Sequence, residues 1–149
     1  MSAIGTTYSF KDLSGAFATP FGNLTFGGQI GMGTVTVTNA TDHTAHDLAA
    51  DGTIMPSFVP GDGGTVTIEC QQTSIVHKFL LDWLNSCKTA SMNGDLSSWA
   101  ASTLYLHNTL DGSTHNVGGI SPVKSPDKVY AAQGAKITWT LQACDVTNQ

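Results

Sequence analysis

The stretch GTVTIECQQTSIVHKFLLDWLNSC, residues 64–87, changes its hydrophobic period once and thereby predicts a strand followed by a helix. In its first part Val66, Ile68 and Cys70 alternate with polar residues, which is the period of a strand with one buried face. From residue 75 onward the apolar residues recur at steps of three and four, as in the buried stripe of an amphipathic helix. We therefore predict a helix over about residues 74–90, directly after the strand.

Local signals at both ends set the limits of this helix. Thr73 or Ser74 can cap the amino terminus through its hydroxyl group, and Lys88 falls in the last predicted turn, where a cation suits the helix dipole. Asn93-Gly94 follows as a stop signal. No other stretch has a convincing helical period, so the rest of the chain is predicted to build a sheet on which this helix packs.

The remaining segments have the pattern of short strands separated by turn residues. Strands are predicted at Tyr8–Leu13, in a hairpin over Ala16–Phe26 with its turn at residues 20–23, and at residues 34–38, 104–110, 115–123 and 137–143. Connecting features are predicted as a turn at Ser14-Gly15, a glycine-rich connector over residues 27–33, a turn at residues 111–113, and a bulge at Gly118-Gly119.

These elements indicate a single domain over residues 1–149, with roughly seven to nine strands and one helix. The predicted fold class is mainly β: an antiparallel β-sandwich or open barrel, with one packed α-helix covering an open side. Segment 39–64 is the least regular part of the chain. Within it, Pro56 restricts the run from Ile54 to Val59 to an edge strand, because proline cannot donate a hydrogen bond to a neighbouring strand.

The composition points to a protein that assembles with copies of itself. Charged residues make up 11% of the 149 residues, against about 25% in an average soluble protein. So little charge suits a subunit whose surface is largely covered by further copies. The net charge of −5 argues against a surface that binds nucleic-acid phosphates tightly. No segment has the length of a membrane span or the features of a signal peptide, so we expect no membrane insertion and synthesis in a cytoplasm.

No residue pattern predicts a catalytic or cofactor site. His43 and His46 lie three residues apart beside Asp47, but the segment has no helical period, so a metal site there remains a minor alternative to solvated loop residues. His77 lies away from the apolar stripe and is predicted at the surface or an interface, and His107 is predicted to face outward. We expect no enzyme activity, no metal and no cofactor.

The aromatic and sulfur-containing residues are mostly predicted in the core. Trp83 and Trp139 lie on apolar faces, whereas Trp99 lies in a polar stretch and is predicted to be exposed or interfacial. Cys70 and Cys87 share the apolar faces of the strand and the helix and are predicted to be reduced.

The order of several short motifs resembles the tail-tube proteins of contractile-tailed bacteriophages. The resemblance is carried by Tyr8-Ser-Phe-Lys-Asp-Leu-Ser14, by Ala50-Asp-Gly-Thr-Ile-Met-Pro-Ser-Phe58, and by the Gly64-Thr-Val-Thr-Ile68 strand that runs into the Thr73-Ser74 helix start. It covers about the first 90 residues well and the last third in outline. No single motif is diagnostic, because each consists of turn chemistry or strand patterning.

This resemblance implies a structural subunit that assembles into stacked, hexameric rings around a channel for DNA ejection. The implied partners are further copies of the chain, a tail sheath protein, a tape-measure protein, the baseplate and the tail terminator. Genomic DNA would pass through the lumen without specific binding. The implied location is the virion tail, assembled in the host bacterial cytoplasm. Tube subunits of secretion systems and of phage-tail-like bacteriocins share this mechanism and remain alternatives.

Two sets of residues follow from this expectation. The polar faces of two strands are predicted to line the lumen, namely Thr65, Thr67, Glu69, Thr138, Thr140 and Gln142. The irregular segment and the amino-terminal arm are predicted to reach an adjacent subunit or ring, through Asp42, His43, His46, Asp47, Asp51, Met55 and Phe58. One rival interpretation is a carbohydrate-binding β-sandwich module, which would need an exposed aromatic platform from Trp99, Tyr105 or Tyr130; the other is a small hydrolase with an unrecognised active site.

Overall fold

The fold, in a computed structural model, contains ten strands and one helix within residues 13–26, 32–40, 42–110, 112–128 and 130–149, which are the residues it describes. The strands are β1 Leu13–Thr19, β2 Gly22–Phe26, β3 Met32–Asn39, β4 Thr44–Leu48, β5 Ile54–Phe58, β6 Gly64–Gln71, β7 Ser102–Asn108, β8 Thr114–Pro122, β9 Lys136–Ala143 and β10 Asp145–Asn148; the helix is α1 Ile75–Met92. The strand predicted at residues 8–12, the connector at 27–31 and Asp111 lie outside the described residues.

Eight of the strands form one antiparallel sheet in the order β2-β1-β7-β8-β9-β6-β3, with β10 pairing β8. We refer to β2, β1, β7, β8 and β10 as the first half-sheet and to β8, β9, β6 and β3 as the second half-sheet. Strand β8 belongs to both, since its early residues pair β7 and β10 and its end pairs β9 at Ser121 and Pro122. The fold is therefore mainly β with one helix, as predicted.

The predicted bulge is present in β8, next to the end of the strand that pairs with β9. The register between β7 and β8 shifts from Leu104 opposite Val117 to Ser102 opposite Ile120, which leaves one extra residue in β8. Gly119 takes a φ of +63° in this bulge, a conformation that other residues rarely adopt. The predicted turn at Ser14-Gly15 is wrong, because both residues lie within β1, and β10 was not predicted.

Helix α1 begins and ends close to its predicted limits. Ser74 is the cap, and its side chain accepts a hydrogen bond of 3.2 Å from the backbone N–H of His77. Asn93 follows the last helical residue, and Gly94 takes a φ of +89°. The helix runs two residues further than predicted, to Met92, so the placement of Lys88 in the last turn is wrong.

One apolar core lies between the two half-sheets, and the helix closes it on one side. The Trp83 ring meets Phe17 of the first half-sheet edge-on at 5.1 Å, and its Nε1 donates a 3.0 Å hydrogen bond to Ser102 Oγ. On the other side Trp139 Nε1 of the second half-sheet donates to His77 Nδ1 at 3.2 Å. The helix thus holds both half-sheets through one buried polar bond to each.

The prediction that His77 lies at the surface is wrong. The side chain is 7% exposed, because the two half-sheets cover a wider part of the helix than the apolar stripe alone indicates. Burial, with a smaller effect of the Lys128 charge, lowers the pKa of His77 below its usual 6.5. The bond from Trp139 requires an unprotonated Nδ1, so the neutral ring with its proton on Nε2 is the form that fits the fold.

We predict that the fold loses stability when the pH falls below about 6.5. In that range the unfolded chain binds a proton at His77 that the folded chain excludes, so the free energy of unfolding falls by at most about 1.4 kcal/mol per pH unit until the folded pKa is reached. Urea unfolding at several pH values measures this slope. The His77→Gln variant is the control, since it does not titrate; identical slopes for both proteins would contradict the prediction.

The remaining predictions for buried residues are mostly confirmed. Trp83, Trp139, Cys70 and Cys87 are buried, and both cysteines are free thiols. Burial raises the pKa of both the Cys70 and the Cys87 thiols, which keeps them protonated. Trp99 is half-buried and packs against the core, so the prediction that it is exposed is wrong, whereas the alternative that it lies at an interface stays a prediction.

Candidate functional site

The six residues predicted to line a lumen lie together on the outer face of the second half-sheet. They form three cross-strand pairs: Thr65 with Gln142, Thr67 with Thr140, and Glu69 with Thr138. Strand β3 extends each row by one threonine, since Thr38, Thr36 and Thr34 pair with residues 65, 67 and 69. We call these nine residues the threonine face. Alternation in β3 was predicted, but its place beside β6 was not, because a pattern of faces does not identify the partner strand.

The threonine face carries very little net charge. Its single ionisable residue is Glu69, whose Oε1 lies 3.5 Å from Nζ of Lys136 on β9. The Lys136 side chain is exposed and the Glu69 side chain is partly exposed, so solvent screens the pair and it contributes little to stability. Its effect is on the surface potential: the pair leaves a neutral, hydroxyl-rich face with no unpaired cation among its described residues.

The threonine face ends at an open edge. Within the part of the chain that the structure describes, β3 pairs with β6 and with no other strand, so its second edge presents free backbone hydrogen-bonding groups. On the far side of the half-sheet, β9 pairs β8 only at residues 141 and 142. Open edges of this kind favour pairing with another chain.

Segment 39–64 is a projecting hairpin and not the irregular loop that was predicted. Strands β4 and β5 pair over five residues, from Thr44 opposite Phe58 to Leu48 opposite Ile54, and form a two-stranded sheet of their own. All residues from 42 to 58 are exposed. We call residues 42–59 the arm. The predicted edge strand with Pro56 is confirmed as β5.

The base of the arm is tied to the body of the protein. The Val59 N–H donates to the carbonyl of His43 at 2.9 Å, and His43 Nδ1 lies 3.2 Å from the Val59 carbonyl oxygen, which it can meet only as a donor. Nε2 of the same ring lies 3.8 Å from a carboxylate oxygen of Asp62. The Asp62 carbonyl in turn accepts from Val146 of β10 at 2.8 Å.

The tip of the arm is a well-formed turn. The Thr53 N–H donates to Asp51 Oδ1 at 3.0 Å, and this hydrogen bond lowers the pKa of the Asp51 carboxyl group. Gly52 takes a φ of +92°, a conformation that favours glycine, and completes the turn between β4 and β5. The turn fixes how far the arm reaches and keeps its two strands in register.

The arm has one apolar face, which is exposed to solvent. Leu48, Ile54 and Phe58 share this face with Pro56 and His46, and Phe58 is 79% exposed. The opposite face carries Asp47, Met55 and Ser57. The residues predicted for contact with an adjacent subunit are therefore divided between the two faces, and the apolar face also contains Leu48 and Ile54, which were not among them. An isolated two-stranded sheet is marginally stable, which favours a covered arm.

The described residues do not assemble a metal site or an aromatic platform. No group of three potential metal-ligating side chains lies together within them, and His43 is engaged by Val59 and Asp62. Trp99 packs on the core, and the Tyr105 ring stacks against His107 at 6.5 Å. His107 lies on the outer face of β7, as predicted. No helix within the described ranges is long and apolar enough to cross a membrane.

Several solved structures with this fold come from contractile injection systems. The chain matches the PVC sheath/tube terminator of an extracellular contractile injection system in its extended state, with a TM-score of 0.63 and 16% identity over 99% of both chains. It matches the anti-feeding prophage tube-terminating cap with a TM-score of 0.61 and 12% identity, covering 100% of this chain and 95% of the other. A chain of the extended PVC sheath-tube complex gives 0.58 and 14%, covering 98% and 93%.

At these identities the likeness shows the fold, which is that of the tube and terminator proteins of contractile injection systems. Comparison with curated proteins gives no significant match. The model of one family, described as the Bacteriophage PhiTE tail tube protein, matches residues 5–149. The chain therefore belongs to this family of phage tail tube proteins, as its sequence resemblance predicted. It is a non-enzymatic structural component of a phage tail or a phage-tail-like particle.

Proposed function

We propose that the chain assembles into stacked hexameric rings whose joined second half-sheets form the wall of a DNA-ejection channel. The observation that carries this proposal is the threonine face, a continuous polar surface across three strands that ends at an open edge. The opposite face of the second half-sheet packs on the apolar core. This half-sheet therefore has one polar, solvent-accessible face and one buried face, as a channel wall requires.

Strand directions support the joining of neighbouring copies edge to edge. The second half-sheet has four strands of alternating direction, β8, β9, β6 and β3. In a ring of identical copies an even number of strands lets the end of β8 meet β3 of the next copy in antiparallel fashion. The whole wall can then close without a parallel join, and closure removes the open edges.

The chemistry of the threonine face supports passage of DNA without specific binding. Tight binding of a polyanion needs clustered Lys and Arg side chains that release counterions. Here the nearby cation, Lys136, is paired with Glu69. A neutral, hydroxyl-rich surface neither attracts the DNA phosphates strongly nor repels them, so it does not hinder the movement of DNA along the channel.

The arm supports contact between rings. Its apolar face has no cover within the described chain, and each copy in a stack can offer the arm to a copy in the next ring. Such a contact is heterologous and open-ended, so other proteins must limit the length of the tube. We assign the control of tube length to the tape-measure protein, the baseplate and the tail terminator. The sheath protein surrounds the tube, and the particle is assembled in the host bacterial cytoplasm.

Negative-stain electron microscopy across a concentration series, with light scattering, tests this proposal. Rings or tubes with a central channel are expected. A well-folded monomer at all concentrations, also in the presence of its baseplate, would overturn it.

A genome-free tube of a secretion system or bacteriocin is the second candidate, favoured by the injection-system structures that share the fold. Capsid genes beside the gene for this chain would identify the phage tail.

We predict that the Glu69→Lys substitution slows DNA ejection several-fold at low ionic strength. It changes the charge of each copy by two units and places two unpaired lysine side chains per subunit on the channel wall, so DNA phosphates are retained. Added salt should restore the rate, because counterions screen the attraction. Ejection is measured as DNA release from particles assembled with the variant.

The matched control for this prediction is Asp82→Lys, which makes the same charge change on an exposed position of helix α1. It should leave the ejection rate unchanged. Equal rates for wild type and Glu69→Lys at low salt would remove the support for the threonine face as the lumen.

A further inference from the structure

The two ends of the second half-sheet carry charges of opposite sign. Strand β6 has eight residues and runs from Gly64, beside Ala143, to Gln71, beside Lys136. A strand of this length separates its ends by roughly 25 Å. The arm leaves the sheet at the Gly64 end, and helix α1 begins just after the Gln71 end.

The end that bears the arm is acidic. The Val146 N–H donates to the Asp62 carbonyl at 2.8 Å, which brings the start of β10 to the base of the arm. The sequence has no Lys or Arg between residues 12 and 77, so with neutral histidines this end has a net charge of −5. Its five exposed carboxylates are those of Asp42, Asp47, Asp51, Asp62 and Asp145. We call these five residues the acidic end.

The opposite end collects four of the six lysines of the chain. The connection from β8 to β9 returns the chain from Pro122, beside Leu141, to Lys136, beside Gln71. It passes the first turn of α1, where the charge of Lys128 contributes to the lowered pKa of the buried His77. The exposed lysines of this end, which we call the basic end, are Lys78, Lys124, Lys128 and Lys136.

The carboxylates near the basic end do not cancel its charge. Glu69 Oε1 lies 3.5 Å from Lys136 Nζ, and Asp127 lies in the connection between β8 and β9. Four lysines against these two carboxylates leave a net charge of +2. Counting Asp82 as well, one turn along α1 from Lys78, leaves +1. The amino terminus of α1 adds a partial positive charge.

The basic end also presents apolar groups that match the apolar face of the arm. Ile75 is 64% exposed and Tyr130 is 82% exposed. Ile75 lies three residues before Lys78 on one face of the helix. Lys128 Nζ lies 5.4 Å from the centre of the Tyr130 ring. Exposed apolar and cationic groups are therefore neighbours at this end, as the apolar and acidic groups are in the arm.

We propose that the basic end of each copy receives the acidic arm of a copy in the next ring. The proposal rests on the proposed function, since it names the contact by which rings stack. In a closed barrel every strand runs from one rim to the other, so the joined half-sheets place all acidic ends on one rim and all basic ends on the opposite rim. Rings stacked in the same orientation bring unlike charges together, and a reversed ring would bring like charges together. The contact uses strand ends and leaves the strand edges to the joint within a ring.

Mixing two charge-reversed proteins tests the proposal. In the first, Asp42→Lys, Asp47→Lys and Asp145→Lys change the acidic end from −5 to +1; Asp51 is kept because it holds the turn at the tip. In the second, Lys78→Glu and Lys128→Glu change the basic end from +2 to −2. Each protein alone should give rings and no tubes, because both surfaces then carry the same sign. An equal mixture of the two ring preparations should give tubes, because alternating rings restore opposite signs at every contact.

The matched control is Lys88→Glu, which changes the charge of an exposed lysine further along α1 and should leave tube formation as in the wild type. Tubes from either reversed protein alone at the wild-type concentration would overturn the proposal, and so would a mixture that stays as rings. Failure of the wild type to form rings or tubes would count against the proposed function itself.

A second measurement uses the wild type alone. A carbodiimide couples carboxylates to adjacent lysines in assembled tubes made from equal amounts of isotope-labelled and unlabelled chains, and mass spectrometry after proteolysis identifies the linked peptides. We expect links between labelled and unlabelled chains that join the arm to Lys78, Lys124 or Lys128. The Glu69–Lys136 pair is the internal control, because its two groups already lie 3.5 Å apart in one chain. Coupling of that pair without any link from the arm to the basic end, or links from the arm to Lys88, would overturn the proposal.

Discussion

Replacing Ile54 and Phe58 together by serine is expected to abolish tube formation at concentrations where the wild type assembles. Both side chains are more than half exposed in the subunit, so the substitutions remove no core packing. In a stacked tube they would be buried, and each buried apolar side chain of this size contributes about 1.5–3 kcal/mol. The double variant should therefore need at least about a 100-fold higher concentration to assemble, as light scattering and electron microscopy can measure.

The matched control for this prediction is Met55→Ser, on the opposite face of the same strand and 58% exposed. It should assemble with a much smaller change in concentration. Urea unfolding of both variants should give stabilities within about 0.5 kcal/mol of the wild type, as for most surface substitutions. Tubes of the double variant at the wild-type concentration would show that the apolar face of the arm is not part of the stacking contact.

Trp139→Ala is expected to have the largest effect on stability, with a loss of about 3–5 kcal/mol in the free energy of unfolding. The indole is fully buried between the second half-sheet and the helix. Its removal leaves a cavity and also leaves His77 Nδ1 without the donor at 3.2 Å. Because the free energy of unfolding of a domain is about 5–15 kcal/mol, such a loss removes a large part of it and leaves the variant only marginally folded.

Chemical denaturation at pH 7.5 measures this loss, because His77 is then neutral in both the folded and the unfolded state. The control is Thr140→Ala, the next residue along β9, which lies on the exposed threonine face. It should change the stability by no more than about 0.5 kcal/mol. If both substitutions cost the same, the packing of Trp139 would not be a main source of stability.

The sequence allowed the faces of the central elements to be predicted well. Alternation identified the buried residues of β6 and β9, such as Ile68 and Trp139, and the capping and stop signals placed the helix within two residues. Alternation could not show that β6 and β9 are neighbours, because strands about 70 residues apart carry no local signal of pairing. The threonine face was therefore predicted as two separate strand faces, without the contribution of β3.

Two errors have physical causes of a different kind. His77 was placed at the surface because helical periodicity assumes one covering layer, whereas this helix lies against two half-sheets. The arm was taken as irregular because burial is the usual signal for a strand, and every residue of β4 and β5 is exposed in the single chain. A prediction that relies on burial within the chain therefore cannot recognise these two strands.

The way in which β8 connects the two half-sheets has a mechanical consequence. Across the junction with β9 the described residues pair only at Ser121 and Pro122, so few backbone hydrogen bonds resist rotation of one half-sheet against the other. Helix α1 bridges the same two layers through Trp83 on one side and His77 on the other. Within the subunit, the junction of β8 and β9 therefore joins the two half-sheets by the shortest run of paired residues, and helix α1 links the same half-sheets a second time through the hydrogen bonds of Trp83 and His77.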